Sequence, residues 1–109
     1  MSAAAERQRL PNRRGCTTFD LEACGLRFRA SVGYYEDGRR VGEVFLSNGR
    51  VNSTAGIMAS DAAVVASIAL QYGVPLDVIR RALMRDPQGR AVGPLGVVLD
   101  QLAQEEGAR

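Results

Sequence analysis

Every cation in this 109-residue sequence is an arginine: there are 14 Arg, with neither Lys nor His. Without His, the side chain that most readily moves protons near neutral pH is missing. Without Lys, Schiff-base chemistry and a P-loop lysine are both excluded. Catalysis would have to rest on Asp, Glu, Cys or Tyr alone. The two cysteines, Cys16 and Cys24, are separated by one extended segment, roughly 25 Å at about 3.3 Å per residue, which is too far for a disulfide. Two Cys without His do not complete a zinc site within one chain, and neither thiol has a His or Lys neighbour in sequence to lower its pKa. The expectation is reduced thiols, with no catalytic, cofactor-binding or metal-binding residue.

What guanidinium groups do well is hold anions. Arg27 and Arg29 alternate on the polar side of a predicted strand, with Arg13, Arg14, Arg39 and Arg40 near it in sequence. One reading is a phosphate or nucleic-acid surface. The simpler one is a solvated face paired with Asp20, Glu22 and Glu43. Tyr35 alternates onto the same side and is the candidate platform for base stacking, whereas Tyr34 points with the apolar residues. Ser53 and Thr54 close a polar loop ahead of a long apolar segment. They either receive an anion at a helix N-terminus or simply cap the helix, and capping is the simpler account. Residues 71–83 have a helix-turn-helix cadence, but the second half is too apolar for a base reader. Residues 1–50 hold nine Arg against six acids and residues 51–109 five against six, so a polyanion would meet the N-terminal half first. The net charge of +2 does not by itself imply nucleic acid.

These residues need elements to hold them. Residues 1–10 read as a flexible N-terminal segment with a loose helical turn, and residues 11–109 as a single domain. From Thr17 to Ala23 the alternation puts Phe19, Leu21 and Ala23 on one face. After a Cys24-Gly25 turn, Leu26, Phe28, Ala30, Val32 and Tyr34 share the next apolar face. Asp37-Gly38 signals a hairpin, Val41 to Ser47 forms a third strand, and Asn48-Gly49 closes it. Ser53 to Tyr72 is then a long helix rich in alanine, about 30 Å for twenty residues. Gly73 ends it, a second helix runs from Pro75 to Met84, and a third from Leu95 to Glu105. The predicted fold is α+β: a three-stranded antiparallel β-meander, with room for a short fourth strand, packed on one face by a long helix and two shorter C-terminal helices.

The wording of these elements resembles the TSCPD domain family. The resemblance starts at Leu10-Pro11-Asn12-Arg13-Arg14 and runs through Val32-Gly33-Tyr34-Tyr35-Glu36-Asp37-Gly38 and Gly42-Glu43-Val44-Phe45. It is strongest at Ile68-Ala69-Leu70-Gln71-Tyr72-Gly73-Val74-Pro75. Members are the C-terminal part of adenosylcobalamin-dependent ribonucleotide reductases or short standalone proteins, and Gly93-Pro94-Leu95-Gly96 with Leu99-Asp100 looks like the standalone type. The Thr-Ser-Cys-Pro-Asp stretch that names the family is absent, as is a C-terminal cysteine pair. The resemblance implies an association with deoxyribonucleotide synthesis, through a reductase subunit or a nucleotide. It places adenosylcobalamin only in the full-length reductases and implies no reaction for this chain.

Three further expectations concern surroundings. With no signal peptide and no run of about 20 apolar residues, the chain reads as cytoplasmic with no membrane partner. A homodimer is expected, because the third strand carries only Glu43 as a blocking charge on its edge and the helices offer surplus apolar surface.

Overall fold

The computed structural model describes residues 6–50 and 52–107. The period-2 pattern becomes three strands, β1 (Cys16–Ala23), β2 (Leu26–Tyr34) and β3 (Val41–Ser47), in the antiparallel order β1-β2-β3. Cys24 and Gly25 both take positive φ, 56° and 72°, as a two-residue hairpin turn between right-twisted strands requires. That turn sets Ala23 opposite Leu26 and brings Leu21, Phe28, Ala30, Val32, Val44 and Leu46 to one buried face. Among the described residues the sheet has no fourth strand. The nearest thing to one is an isolated bridge between Arg85 and Ala91, closed by a turn in which Asp86 accepts the N–H groups of Gln88 and Arg90, each at 2.9 Å.

Three helices follow, α1 (Thr54–Gln71), α2 (Leu76–Ala82) and α3 (Pro94–Gly107). Helix α1 lies along β3 and α3 reaches β1, so the two share the apolar face of the sheet. Ala59, Ala63 and Ala66 are buried, and their small side chains allow α1 to approach the sheet closely. Helix α3 contributes Leu95, Val98, Leu99 and Leu102, the stripe its spacing predicts. Helix α2 is shorter than expected and buries no residue: Pro75 serves as its N-cap, and Leu83 is already extended toward the Arg85–Ala91 bridge. By length and composition α1 also qualifies as a membrane span, contrary to expectation, although one of its faces is packed against the sheet.

The same helix seals the outer edge of β3. The backbone N–H of Val44 donates to Ser67 Oγ at 2.8 Å, and the Ser67 hydroxyl lies 3.1 Å from the Val44 carbonyl and 2.8 Å from that of Ala63. Gln71 Nε2 donates to the Gly42 carbonyl at 2.9 Å. Edge groups left open on an unpaired strand invite another strand. Here, over Gly42 to Val44, they are taken by helix side chains, so the expected edge route to a homodimer is closed over that stretch.

The chain is anchored earlier than residue 11. The loose turn expected over Ala3 to Arg9 lies partly outside the described residues, and residues 6–10 are not helical. Instead, Gln8 N–H donates to the Gln71 carbonyl at 2.7 Å and Arg7 Nε to Gln71 Oε1 at 2.7 Å. Arg40 Nη2 donates to Gln8 Oε1 at 2.6 Å, and the Tyr35 hydroxyl donates to the Gln8 carbonyl. Residues 7–10 therefore strap the end of α1 to the β2–β3 hairpin.

Candidate functional site

Among the described residues no helix covers the outer face of the sheet, which collects the exposed Arg27 and Arg29. Arg29 Nε donates to Asp20 Oδ1 at 3.0 Å, directly across the β1–β2 register. Arg27 stands opposite Glu22. The Arg29–Asp20 pair is exposed on both sides, so it is worth at most about 1 kcal/mol. Arg27 and Arg29, with Ser47, Asn48 and Gly49, line a shallow cleft of about 260 Å³. Phe45 lies diagonally across from Arg29 and is 54% exposed. An uncovered aromatic beside guanidinium groups suits an acidic or mixed partner surface.

The other residues expected at such a site are elsewhere. Arg14 is at the opposite end of the sheet, where its Nε and Nη2 bind the Glu43 carboxylate (Nη2 to Oε1 at 3.2 Å) and its Nη1 donates to the Pro11 carbonyl at 2.7 Å. Glu43, expected as a cross-strand partner for Arg27 and Arg29, is thus committed to Arg14, and only 9% of it is exposed. Arg13 is exposed in the bend before β1, with no ion pair among the described residues. Ser53 is the N-cap of α1: its Oγ accepts from Gly56 N–H at 3.1 Å and is bonded to Asn48 Nδ2 at 2.9 Å. Thr54 is the exposed first residue of the helix.

Tyr35 corrects the stacking expectation. A register irregularity between Gly33 and Tyr34 interrupts the alternation, and Tyr34 and Tyr35 are both buried. Tyr35 is only 7% exposed, and the Arg40 guanidinium sits 4.0 Å from its ring centroid. The ring is therefore not open to a base.

The residues that sequence reasoning missed hold the molecule together. Asp100 on α3 accepts from Arg85 Nη2 at 2.7 Å, Arg85 Nη1 at 2.9 Å and Arg80 Nη1 at 3.1 Å. Hydrogen bonds from Arg85, and then Arg80, hold its carboxyl down at about 2, against the opposing effect of burial. The same bonds raise both guanidinium pKa values. Asp100 follows Leu99 in a helix whose other signals are apolar, so nothing local in the sequence names its partners. At the hairpin, Asp37 accepts the N–H groups of Arg40 and Arg39, each at 2.9 Å, which lowers its pKa.

Two further clefts bear on what the chain can hold. One, about 360 Å³, lies between the hairpin and the α1–α2 junction, lined in part by Tyr34, Arg39, Leu70 and Leu102. The other, about 340 Å³, is an apolar groove bounded by Leu26, Phe28, Met58, Leu83 and Pro94. Neither they nor the largest cleft described, about 470 Å³, accommodates a corrin with its nucleotide tail. These residues do not fit adenosylcobalamin.

Comparison with known proteins identifies the lineage. The TSCPD domain matches residues 6–105. A vitamin B12-dependent ribonucleotide reductase of Rhodopirellula baltica is 41% identical over 73 residues, 67% of this chain and 7% of that protein. Those of Agrobacterium fabrum and Bradyrhizobium diazoefficiens are 36% and 35% identical over 72 residues, 66% of this chain and 6% of each protein. The chain thus corresponds to a small fraction of these relatives' length. No solved structure matches it. With nearly all of its described residues covered, the chain belongs to the TSCPD domain family.

Proposed function

We propose that this chain is a non-catalytic accessory domain of vitamin B12-dependent ribonucleotide reduction, acting by docking to a protein partner in the cytoplasm. The carrying observation is that each of the three reductases matches over only 6–7% of its own length, as an appended module would. The outer sheet face is the surface offered, with Phe45 as the apolar anchor and Arg27 and Arg29 beside it. Mixing the purified chain with a B12-dependent reductase lacking the matching region tests this by sedimentation velocity. The expected result is co-sedimentation that Phe45→Ala weakens at least tenfold. No complex at about 50 µM chain, where even a weak interface of about −6 kcal/mol would be half-filled, overturns it.

A second reading is favoured by the cleft that joins Arg27, Arg29 and the Asn48-Gly49 turn. That arrangement suits a phosphate, from a nucleotide or from nucleic acid. Binding of this kind falls steeply between low and physiological salt, whereas docking through Phe45 changes much less. Titration of a fluorescent oligonucleotide at both salts separates the two.

A further inference from the structure

The cleft of about 360 Å³ lies where the β2–β3 hairpin, the α1–α2 junction and α3 meet. It is at the far end of β2 from Arg27 and Arg29, and it is lined by helix residues, unlike the outer sheet face. Its base is apolar: Tyr34, Leu70 and Leu102 are each buried, with Pro75 beside them. Its rims carry opposite charge. Arg39 and Arg40 are exposed on the hairpin side, and Glu105 is exposed on the α3 side.

The hairpin that presents the two guanidinium groups is fixed. Asp37 Oδ1 accepts both of their backbone N–H groups, and Tyr35 N–H donates to the Arg40 carbonyl at 2.9 Å. Arg40 is held over the Tyr35 ring, with its Nη2 on Gln8 Oε1 at 2.6 Å. Among the described residues, its Nε and Nη1 and the whole Arg39 guanidinium have no hydrogen-bond partner. Of the two acids on the cleft, Asp77 is taken by Arg80 and Arg81, at 2.8 Å each. Glu105 has only a long contact from Gln101 Nε2, 3.4 Å, among the described residues. Free donors on one rim and a free acceptor on another thus border an apolar base.

We propose that this cleft binds a nucleoside monophosphate whose base carries an amino group. The phosphate sits at Arg39 and Arg40, the base lies over Tyr34, Leu70 and Leu102, and the amino group donates to Glu105. Each part of the cleft narrows the choice. A phosphate monoester carries about −1.5 to −2 charges at neutral pH, which suits two adjacent guanidinium groups better than a single carboxylate does. Inorganic phosphate would leave the apolar base in water, and an alkyl chain would leave Glu105 unused. The volume is near the lower end for small-molecule sites, room for one base and one phosphate but not for a dinucleotide. The cleft shares no residue with the outer-face surface and goes beyond the docking reading.

Adenosine monophosphate titrated into the full isotope-labelled chain, followed by NMR, tests this. The expected result is saturable shifts at the Arg39, Gly73, Val74 and Glu105 amides, with those of Arg27, Arg29 and Gly49 unmoved. Arg39→Gln, at an exposed position, should weaken adenosine monophosphate about tenfold and leave the weaker binding of adenosine unchanged. Inosine monophosphate has a carbonyl in place of the amino group and should bind about fivefold less tightly, the worth of one hydrogen bond. Glu105→Gln should abolish that preference. No shift at about 5 mM nucleotide, where a millimolar site would be mostly filled, overturns the proposal. Shifts confined to the outer sheet face also overturn it, because they place the phosphate at Arg27 and Arg29. Inorganic phosphate binding as tightly as the nucleotide rules out the base, and an amino-group preference that survives Glu105→Gln rules out its acceptor; either result overturns the assignment.

Discussion

Gly33 and Glu43 stand opposite each other in the β2–β3 register, and the Glu43 side chain occupies the space a Gly33 side chain would need. A Cβ on Gly33 would lie 2.6 Å from Glu43 Cγ and 2.8 Å from Cδ. The absent side chain lets the carboxylate lie across the strand and reach Arg14. Gly33→Ala is expected to expel Glu43, release Arg14 and cost about 1–3 kcal/mol, the usual range for overpacking. Urea unfolding checks the cost. Because the three nearest atoms to that Cβ all belong to Glu43, Gly33→Ala should cost much less in a Glu43→Ala background, and a double-mutant cycle that finds the two additive rules out the account.

The Asp100 clasp predicts an acid-labile join between α2, the Arg85 segment and α3. Its carboxyl sits at about 2, below the ordinary 3.8. A depressed pKa means that the unfolded chain takes up the proton first. The stabilisation is therefore complete above the ordinary value and fades as pH falls from about 4 toward 2. It amounts to roughly 2 kcal/mol. Stability measured by urea titration from pH 5 to pH 2 should fall across this window, and Asp100→Asn should flatten that part of the profile while lowering stability at pH 7. An unchanged acid profile in the variant would place the loss elsewhere.

Ser67 is a hydroxyl near the C-terminal end of an alanine-rich helix, 8% exposed. Its replacement by Ala leaves the Val44 N–H and carbonyl facing helix side chains that cannot bond them, at a cost of about 1–3 kcal/mol. The same change reopens the β3 edge. Ser67→Ala should therefore unfold at lower urea and, on warming, aggregate sooner than its stability loss accounts for. Turbidity compared with a core variant of matched stability, such as Val98→Ala, tests the second part.

Tyr35→Phe keeps the ring under Arg40 and removes only the hydroxyl that binds the Gln8 carbonyl. The expected loss is about 1 kcal/mol, with faster amide exchange at Gln8. Exchange followed by NMR distinguishes local release of the strap from a global loss of stability, which would speed the core amides of β2 equally.

The sheet was legible because its strands have one dry face, and two-residue periodicity survives in each of them. The strand order follows from that, and the apolar stripe of α3 from its separate three- and four-residue spacing; together they give the fold class. Tyr35 was misplaced because one irregularity after Gly33 changes the parity of everything beyond it, and no residue type announces it. Ser53 read correctly as a cap, since its partners lie within five residues. Arg14–Glu43, Ser67–Val44 and Arg85–Asp100 bind across long or topology-dependent separations, and pairing of that kind has no local signature. The Arg face proved to be two separate groups, Arg14 at one end of the sheet and Arg27 with Arg29 at the other.

The strap formed by residues 7–10 has a mechanical consequence. Tension on the chain ahead of Arg7 reaches the end of α1 and the β2–β3 hairpin together, through Gln71, Tyr35 and Arg40, before it loads the strand ladder. Because these contacts are few and lie ahead of the ladder, pulling from that side is expected to release the leading segment before the sheet, like a tab that peels before the panel it is fixed to.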